Sequence, residues 1–389
     1  MKNCPVCNIE VTVYFTGICP NPECSWEFEL FGGDLSSEFQ KENEKKLLKK
    51  QHLYNYKKGV EIGFKIPELT EAKSIAKNVT YIHPNGNKFT GDFINKVPNG
   101  YGTCYFPDGD SYEGEFKGGK FNGSGIFYYA CGDIYEGEFI NNIFNGRGSL
   151  YFTNGDKYGG MFKDNNFNGP GIYCFKSGER YEGEFRDDKF NGYGTLYYMN
   201  GAKYEGTFKN FKKNGYGTYY SLDDDNYEGA YKEDLPNGYG TYYYSDGDRY
   251  EGAIKDGKKN GYGSYYYLDG DKYEGGFKDD IKNGHGTYYC VNGNIYKGEF
   301  IDNYFNGSSS HYSKKGDRYE GEFINSAENG QGTFYYASGD KYEGEFKDGA
   351  QNGHGTFYYT NGERYEGEFL HGAQNGYGTY FHLNGSTKY

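Results

Sequence analysis

Nowhere in this chain do apolar residues run long enough to cross a bilayer, a span that takes about 20 of them in a helix. The opening residues, MKNCPVC, also lack the apolar stretch of a secretory signal. Both absences point to the cytoplasm, where thiols stay reduced. Basic charge is short as well: 42 Lys and Arg face 55 Asp and Glu, a net charge of -13. Residues 1–80 balance eleven Lys against eleven acids, so the whole deficit falls on residues 81–389. A segment that acidic is a poor electrostatic partner for nucleic acid or an anionic membrane. Catalytic patterns are missing too. The seven His stand apart from any Cys, Ser or Asp at a motif spacing. The Gly-x-Gly strings lead into no helix whose N-terminus could hold a phosphate. An enzyme is not expected.

Trp occurs once and Met three times, but there are 63 Gly, 48 Tyr and 30 Phe. A mean hydropathy of -0.96 with this net charge would ordinarily mean disorder. The aromatic share of 20% argues otherwise, because Tyr and Phe favour strands and carry large areas to bury.

The glycines are periodic. With the opening aromatic of each unit as position 0, the series runs Phe89, Tyr112, Tyr135 and onward to Tyr365, in thirteen units of 23 residues without a slip. Position +2 is Gly throughout, and +10/+11 is Asn-Gly throughout. Position +4 is Phe except at Tyr231 and Ile254, and +13 is Gly except at Ser309. A further Gly stands three residues before each opening aromatic, except at Asp224.

The segment Tyr112-Glu-Gly-Glu-Phe116 alternates with period 2, which reads as a strand with its aromatics on one face. A second strand, Gly123 to Tyr129, follows. One turn signal is Asn/Asp-Gly-Asp, as in Asn154-Gly155-Asp156, and another precedes the Asn-Gly of +10/+11. Turn chemistry accounts for these acids better than a calcium loop, whose ligand spacing they lack. Helix is excluded by the glycine density, at about 1 kcal/mol per interior Gly. The strand glycines are expected to open slots on the inner face for rings from neighbouring hairpins. On the outer face, Lys or Arg at −1, Glu at +1 and Tyr at +16 are expected to form solvated ladders. The units opening at Tyr227, Tyr250 and Tyr296 depart most from the pattern and should be weak points.

Tyr-Glu-Gly-Glu-Phe followed by Asn-Gly-x-Gly resembles the MORN repeat (membrane occupation and recognition nexus), and the resemblance covers residues 81–389. It implies scaffolding, homodimerisation, binding of a partner helix or contact with lipid, and does not imply catalysis. The expected fold class is therefore mainly β: an elongated single-layer antiparallel sheet of tandem hairpins.

Two smaller segments precede the repeats. Residues 1–34 hold Cys4-Pro-Val-Cys7 and Cys19-Pro-Asn-Pro-Glu-Cys24, which resemble zinc knuckles. Cys4, Cys7, Cys19 and Cys24 would supply the four thiolates of a structural Zn2+, although the second pair is spaced more widely than the common form. The alternative is four reduced thiols in a tail. Residues 35–80 read as a helical linker: Ser37-x-x-Gln40 fits a capping box ahead of a Lys/Glu/Leu-rich run to Lys58, and a second helix is expected from Pro67 to about Lys77.

The leading functional expectation is a non-catalytic scaffold for protein partners. The alternatives are a peripheral phospholipid-binding protein, which the acidic charge opposes, and an enzyme with an aromatic groove for sugar or peptide. The C-terminal edge, Gly376 to Leu383 with Tyr377, Tyr380 and Phe381, is the expected contact site, most simply for a homodimer. The competing expectation is that Asn384 to Tyr389 shield it.

Overall fold

The computed structural model describes residues 75–388. They form twenty-eight strands, β1 to β28, and no helix occurs among the described residues. The zinc-ribbon segment and nearly all of the helical linker lie outside this range. One correction is visible at its start. The helix expected to reach about Lys77 is, from Ile75, already strand β1 (Ile75–Ile82), paired antiparallel with β2 (Lys88–Ile94). Val79 and Tyr81 sit opposite Gly91 and Phe89, so β1 serves the first repeat as a partner strand.

The strands divide between two units. The first holds residues up to Leu222 together with Tyr231–Asp234, and the second holds Asp223–Ala230 and Leu235 onward. Within each unit, strands pair antiparallel with their sequence neighbours.

One hairpin explains the others. In β4 (Ser111–Lys117) and β5 (Lys120–Tyr128), Tyr112 faces Phe127, Gly114 faces Gly125 and Phe116 faces Phe121. The two-residue turn between such strands has positive φ at both positions, as at Asn141 (52°) and Asn142 (72°), the geometry that suits the right-handed twist of paired strands. The longer connection to the next hairpin is closed by Gly109 at φ 93°, whose amide bonds the Phe106 carbonyl at 3.1 Å. The Asn-Gly of +10/+11 is not itself a turn. Gly123, at φ 71°, lies in a bulge where three residues of β5 span what one residue spans in β4. The Glu115 carboxylate packs beneath it and accepts the Ser124 amide at 3.1 Å.

The core is a row of rings on one face. Nine of the opening tyrosines, Tyr112 and Tyr250 among them, have no exposed surface. Each ring lies across the two facing glycines of its own hairpin: a methyl group added at Gly114 or Gly125 would meet the Tyr112 ring at about 2.5 Å. This corrects the expectation that the slots receive rings from neighbouring hairpins. A strand side chain leans along its own strand, so Tyr112 covers Gly114 and the residue paired with it. Its hydroxyl then reaches far enough to donate to the Glu115 carbonyl oxygen at 2.9 Å. Neighbouring repeats meet one step further on. Tyr112 stacks on Phe121 at 3.8 Å and stands edge-on to Phe116 at 5.1 Å and to Phe139 of the next repeat at 5.0 Å. Burying one such ring stabilises by about 2–3 kcal/mol, which outweighs the roughly 1 kcal/mol a strand glycine costs.

Acidic and amide side chains at the turns lock hairpin to hairpin. Asp110 accepts the Ala130 amide at 2.8 Å, and Asn165 accepts the Phe144 amide at 2.8 Å from the opposite side. Asp271 accepts both the Val291 amide and the Tyr288 hydroxyl at 2.7 Å.

Candidate interaction surface

With the rings on the inner face, positions −1, +1, +3, +12, +14 and +16 fall on the outer one. The expected ladders are there. Arg249 is 2.7 Å from Glu251 and 4.3 Å above the Tyr266 ring. Lys341 is 2.6 Å from Glu343 and 4.3 Å above Tyr358. Arg364 is 2.7 Å from Glu366 and 4.0 Å above Phe381. Pairs this exposed contribute a few tenths of a kcal/mol each. Their effect is to hold long side chains in one arrangement.

Between the +1/+14 row and the +3/+12 row, the outer face is floored by the glycine backbone. In the second unit this makes an open trough of about 750 Å³, walled by Thr333, Glu343, Glu345, His354 and Glu366. Along most of the chain a carboxylate stands at +3, as Glu115, Glu138 and Glu345 do. From Thr207 through Ala230 and Ala253 to Gly276 the position is small and uncharged. In the same stretch +12 is Tyr: Tyr193 faces Thr207, Tyr239 faces Ala253 and Tyr262 faces Gly276. Tyr239 is 67% exposed and Tyr262 68%. Sequence reasoning passed over these residues because +12 reads as the variable position of Asn-Gly-x-Gly. The available signal was the joint change of +3 and +12, which matters only once the two are known to be cross-strand neighbours.

The inner face changes over the same stretch. Position +9 is Phe at Phe121, Phe144, Phe167 and Phe190, then Lys at Lys213, Lys259 and Lys282. The Lys259 ammonium lies 4.9 Å from the Tyr265 ring and 5.8 Å from Tyr250, and donates to the Tyr244 hydroxyl at 3.2 Å. Burial pushes its pKa below the ordinary lysine value, against the opposing pull of Asp280 and Asp248. Burial raises Tyr267 and Tyr342 to about 12.

The C-terminal residues expected to form an open edge are only partly open. In β27 (Ala373–Phe381), Tyr377 is 90% exposed. Tyr380 instead belongs to the inner row and donates to Glu363 at 2.9 Å, and Phe381 lies under Arg364. The short strand β28 (Thr387–Lys388) returns to pair with Tyr380 and Phe381, so the tail occupies that half of the edge. Cys4, Cys7, Cys19 and Cys24 lie outside the described residues. Among the described residues no cluster of His, Cys, Asp and Glu could hold a metal, and no helix is long and apolar enough to cross a membrane.

A family model described as MORN repeat matches residues 89–225, 227–295 and 319–387 in twelve segments. The unit opening at Tyr296 falls outside the matched residues, although it forms the hairpin of β20 (Ile295–Ile301) and β21 (Tyr304–Tyr312). Comparison with curated proteins gives no match. Among solved structures, the TCP10 domain of CPAP from Danio rerio aligns with 58% of this chain and 98% of its own, at 12% identity and a TM-score of 0.22. The TCP10c domain of Sas-4 from Drosophila melanogaster covers 51% and 90%, at 12% identity and a TM-score of 0.16. Virginiamycin B lyase from Staphylococcus aureus covers 74% and 93%, at 13% identity and a TM-score of 0.12. At these scores nothing about this chain's activity follows from them.

Proposed function

The chain belongs to the MORN-repeat family, and on that premise we propose that it is a non-catalytic scaffold that binds protein partners on the outer face of its hairpins. One observation carries this reading: large aromatics such as Tyr239 and Tyr262 stand about two-thirds exposed at a fixed repeat position, on a framework that buries nearly all of its opening tyrosines. Exposed tyrosine offers contact area at low entropic cost and is enriched at interfaces. Capture from the native cell with the full-length protein, followed by reconstitution with the purified partner, tests it. The expected result is a stoichiometric complex that forms again from pure components; failure of every captured candidate to reconstitute would defeat it.

Two further elements belong to the proposal. Cys4, Cys7, Cys19 and Cys24 bind one structural zinc, to be checked by metal analysis after metal-replete expression, where a ratio near zero would count against it. A second copy adds at β27, and only Ala373–Thr379 is left for it, since β28 takes the rest. Light scattering should then show a dimer that Tyr377→Lys converts to monomer. The phospholipid reading is the runner-up. The net charge of -13 sets it back, and co-sedimentation with phosphoinositide liposomes at physiological salt would reverse the ranking.

A further inference from the structure

The Tyr column of the second unit has a geometry that selects among peptide conformations. Tyr239 and Tyr262 occupy the same position in consecutive repeats, two strands apart. Neighbouring strands lie about 4.8 Å apart, which separates equivalent side chains by about 9.6 Å. A polyproline II helix advances about 3.1 Å per residue with three residues per turn, so every third residue returns after about 9.3 Å. An α-helix returns to one face after seven residues and about 10.5 Å. An extended strand laid across the rows repeats after two residues and about 6.6 Å. Over the one interval from Tyr239 to Tyr262 the polyproline helix slips by about 0.3 Å, the α-helix by about 0.9 Å and the strand by about 3 Å. The first fits the spacing most closely.

The chemistry around the column agrees. The residues facing these tyrosines are Ala253 and Gly276, so no carboxylate stands where Glu115 and Glu345 stand in other repeats. The space beside each ring is open to an apolar group. On the far wall, Glu251 and Glu274 are held in ion pairs by Arg249 and Lys272. On the near side, two residues beyond the small ones, Lys255 and Lys278 are exposed and make no ion pair among the described residues. Each tyrosine thus has an exposed lysine two positions along from the residue it faces, in a chain whose total is -13.

We propose that the outer face around Tyr239 and Tyr262 is a docking site for a proline-rich segment of a partner protein, bound as a polyproline II helix with a proline against each tyrosine and acidic residues against Lys255 and Lys278. It rests on the scaffold reading above and names the kind of partner. The preformed polyproline helix loses little entropy on binding, and aromatic-lined grooves are its usual receptors. The first unit carries the same pairing once, with Tyr193 opposite Thr207.

The test is fluorescence anisotropy on full-length protein at physiological salt, with a labelled peptide of four Pro-Pro-Glu triplets. Peptides of equal length built from Gly-Ser-Glu, from Pro-Pro-Lys and from an acidic Ala-rich helix serve as comparisons. Saturable binding of the Pro-Pro-Glu peptide is expected, at least tenfold tighter than any comparison peptide. Tyr239→Ala with Tyr262→Ala should weaken it at least tenfold. So should Lys255→Glu with Lys278→Glu, which leaves the rings in place and guards against a folding defect in the first pair. No binding, equal binding by both double variants, or tighter binding of a comparison peptide would overturn the proposal. If the peptide fails while a partner captured from the cell still reconstitutes with wild-type protein, this inference falls and the scaffold reading stands.

Discussion

In the repeats opening at Tyr112, Tyr135, Tyr158 and Tyr181, the tyrosine is fixed by three contacts at once: a facing glycine pair, a stacked ring at +9 and a carbonyl three residues ahead. Gly125 is therefore a steric requirement, since an added methyl group would sit about 2.5 Å from the Tyr112 ring. Gly125→Ala should destabilise by about 1–3 kcal/mol, as overpacked core positions do, and denaturant unfolding will show it. The +9 position invites the opposite experiment. Lys259 sits where Phe121 stacks in an earlier repeat, and its charge is held in surroundings that disfavour it. Its folded-state pKa is lowered below the unfolded value of 10.5. Its contribution to stability is thus full above that value and is lost as pH falls through the folded pKa. Lys259→Phe should raise the melting temperature most near neutral pH, and calorimetry should find the gap from wild type closing as pH nears 10.5.

At the scale of one hairpin, the unit opening at Tyr296 shows what happens when a single column breaks. Ser309 replaces the glycine at +13, and its side chain fills the slot over Gly298. The Ser309 hydroxyl accepts the Glu299 amide at 3.2 Å and donates to the Asn306 carbonyl at 2.9 Å, so that amide and that carbonyl are partnered without the tyrosine. Tyr296 is displaced and stacks on His311 at 4.5 Å with its ring nearly parallel. The hairpin survives because its turn and its strand pairing do not depend on that slot. Ser309→Gly should return the Tyr296 ring to the row. The expected signs are loss of the Tyr296–His311 nuclear Overhauser contact and a higher melting temperature; persistence of that contact would mean that His311 holds the ring.

Across the whole molecule the same tyrosines add up to a pH response. Burial raises the folded-state pKa of Tyr112, Tyr135, Tyr250 and others above the ordinary tyrosine value, and Tyr267 and Tyr342 to about 12. The unfolded chain releases these protons first. Stability is therefore complete below about pH 10 and falls as pH rises toward the folded-state values. Circular dichroism should show cooperative unfolding in strong alkali, with tyrosinate absorbance appearing together with it. Tyrosinate that formed well before the structure was lost would mean that the rings are more accessible than their burial implies.

Period and alternation settled much of this in advance. Thirteen opening aromatics at 23-residue intervals, glycine at +2 and +13 and alternation around Tyr112 dictate hairpins with rings on one face, because a strand places every second residue on the same side. The ladders of −1, +1 and +16 follow from the same parity. What the sequence alone left open was which residues become neighbours across strands, since that depends on turn length and on the bulge. The two extra residues at Asn122-Gly123 shift the register, set Gly125 opposite Gly114 and bring the Tyr112 ring over its own hairpin. The pairing of Tyr239 with Ala253 and the return of Thr387 onto Phe381 were likewise decided by register. A column of residues can be read along the chain, but contact between columns is a property of the paired sheet.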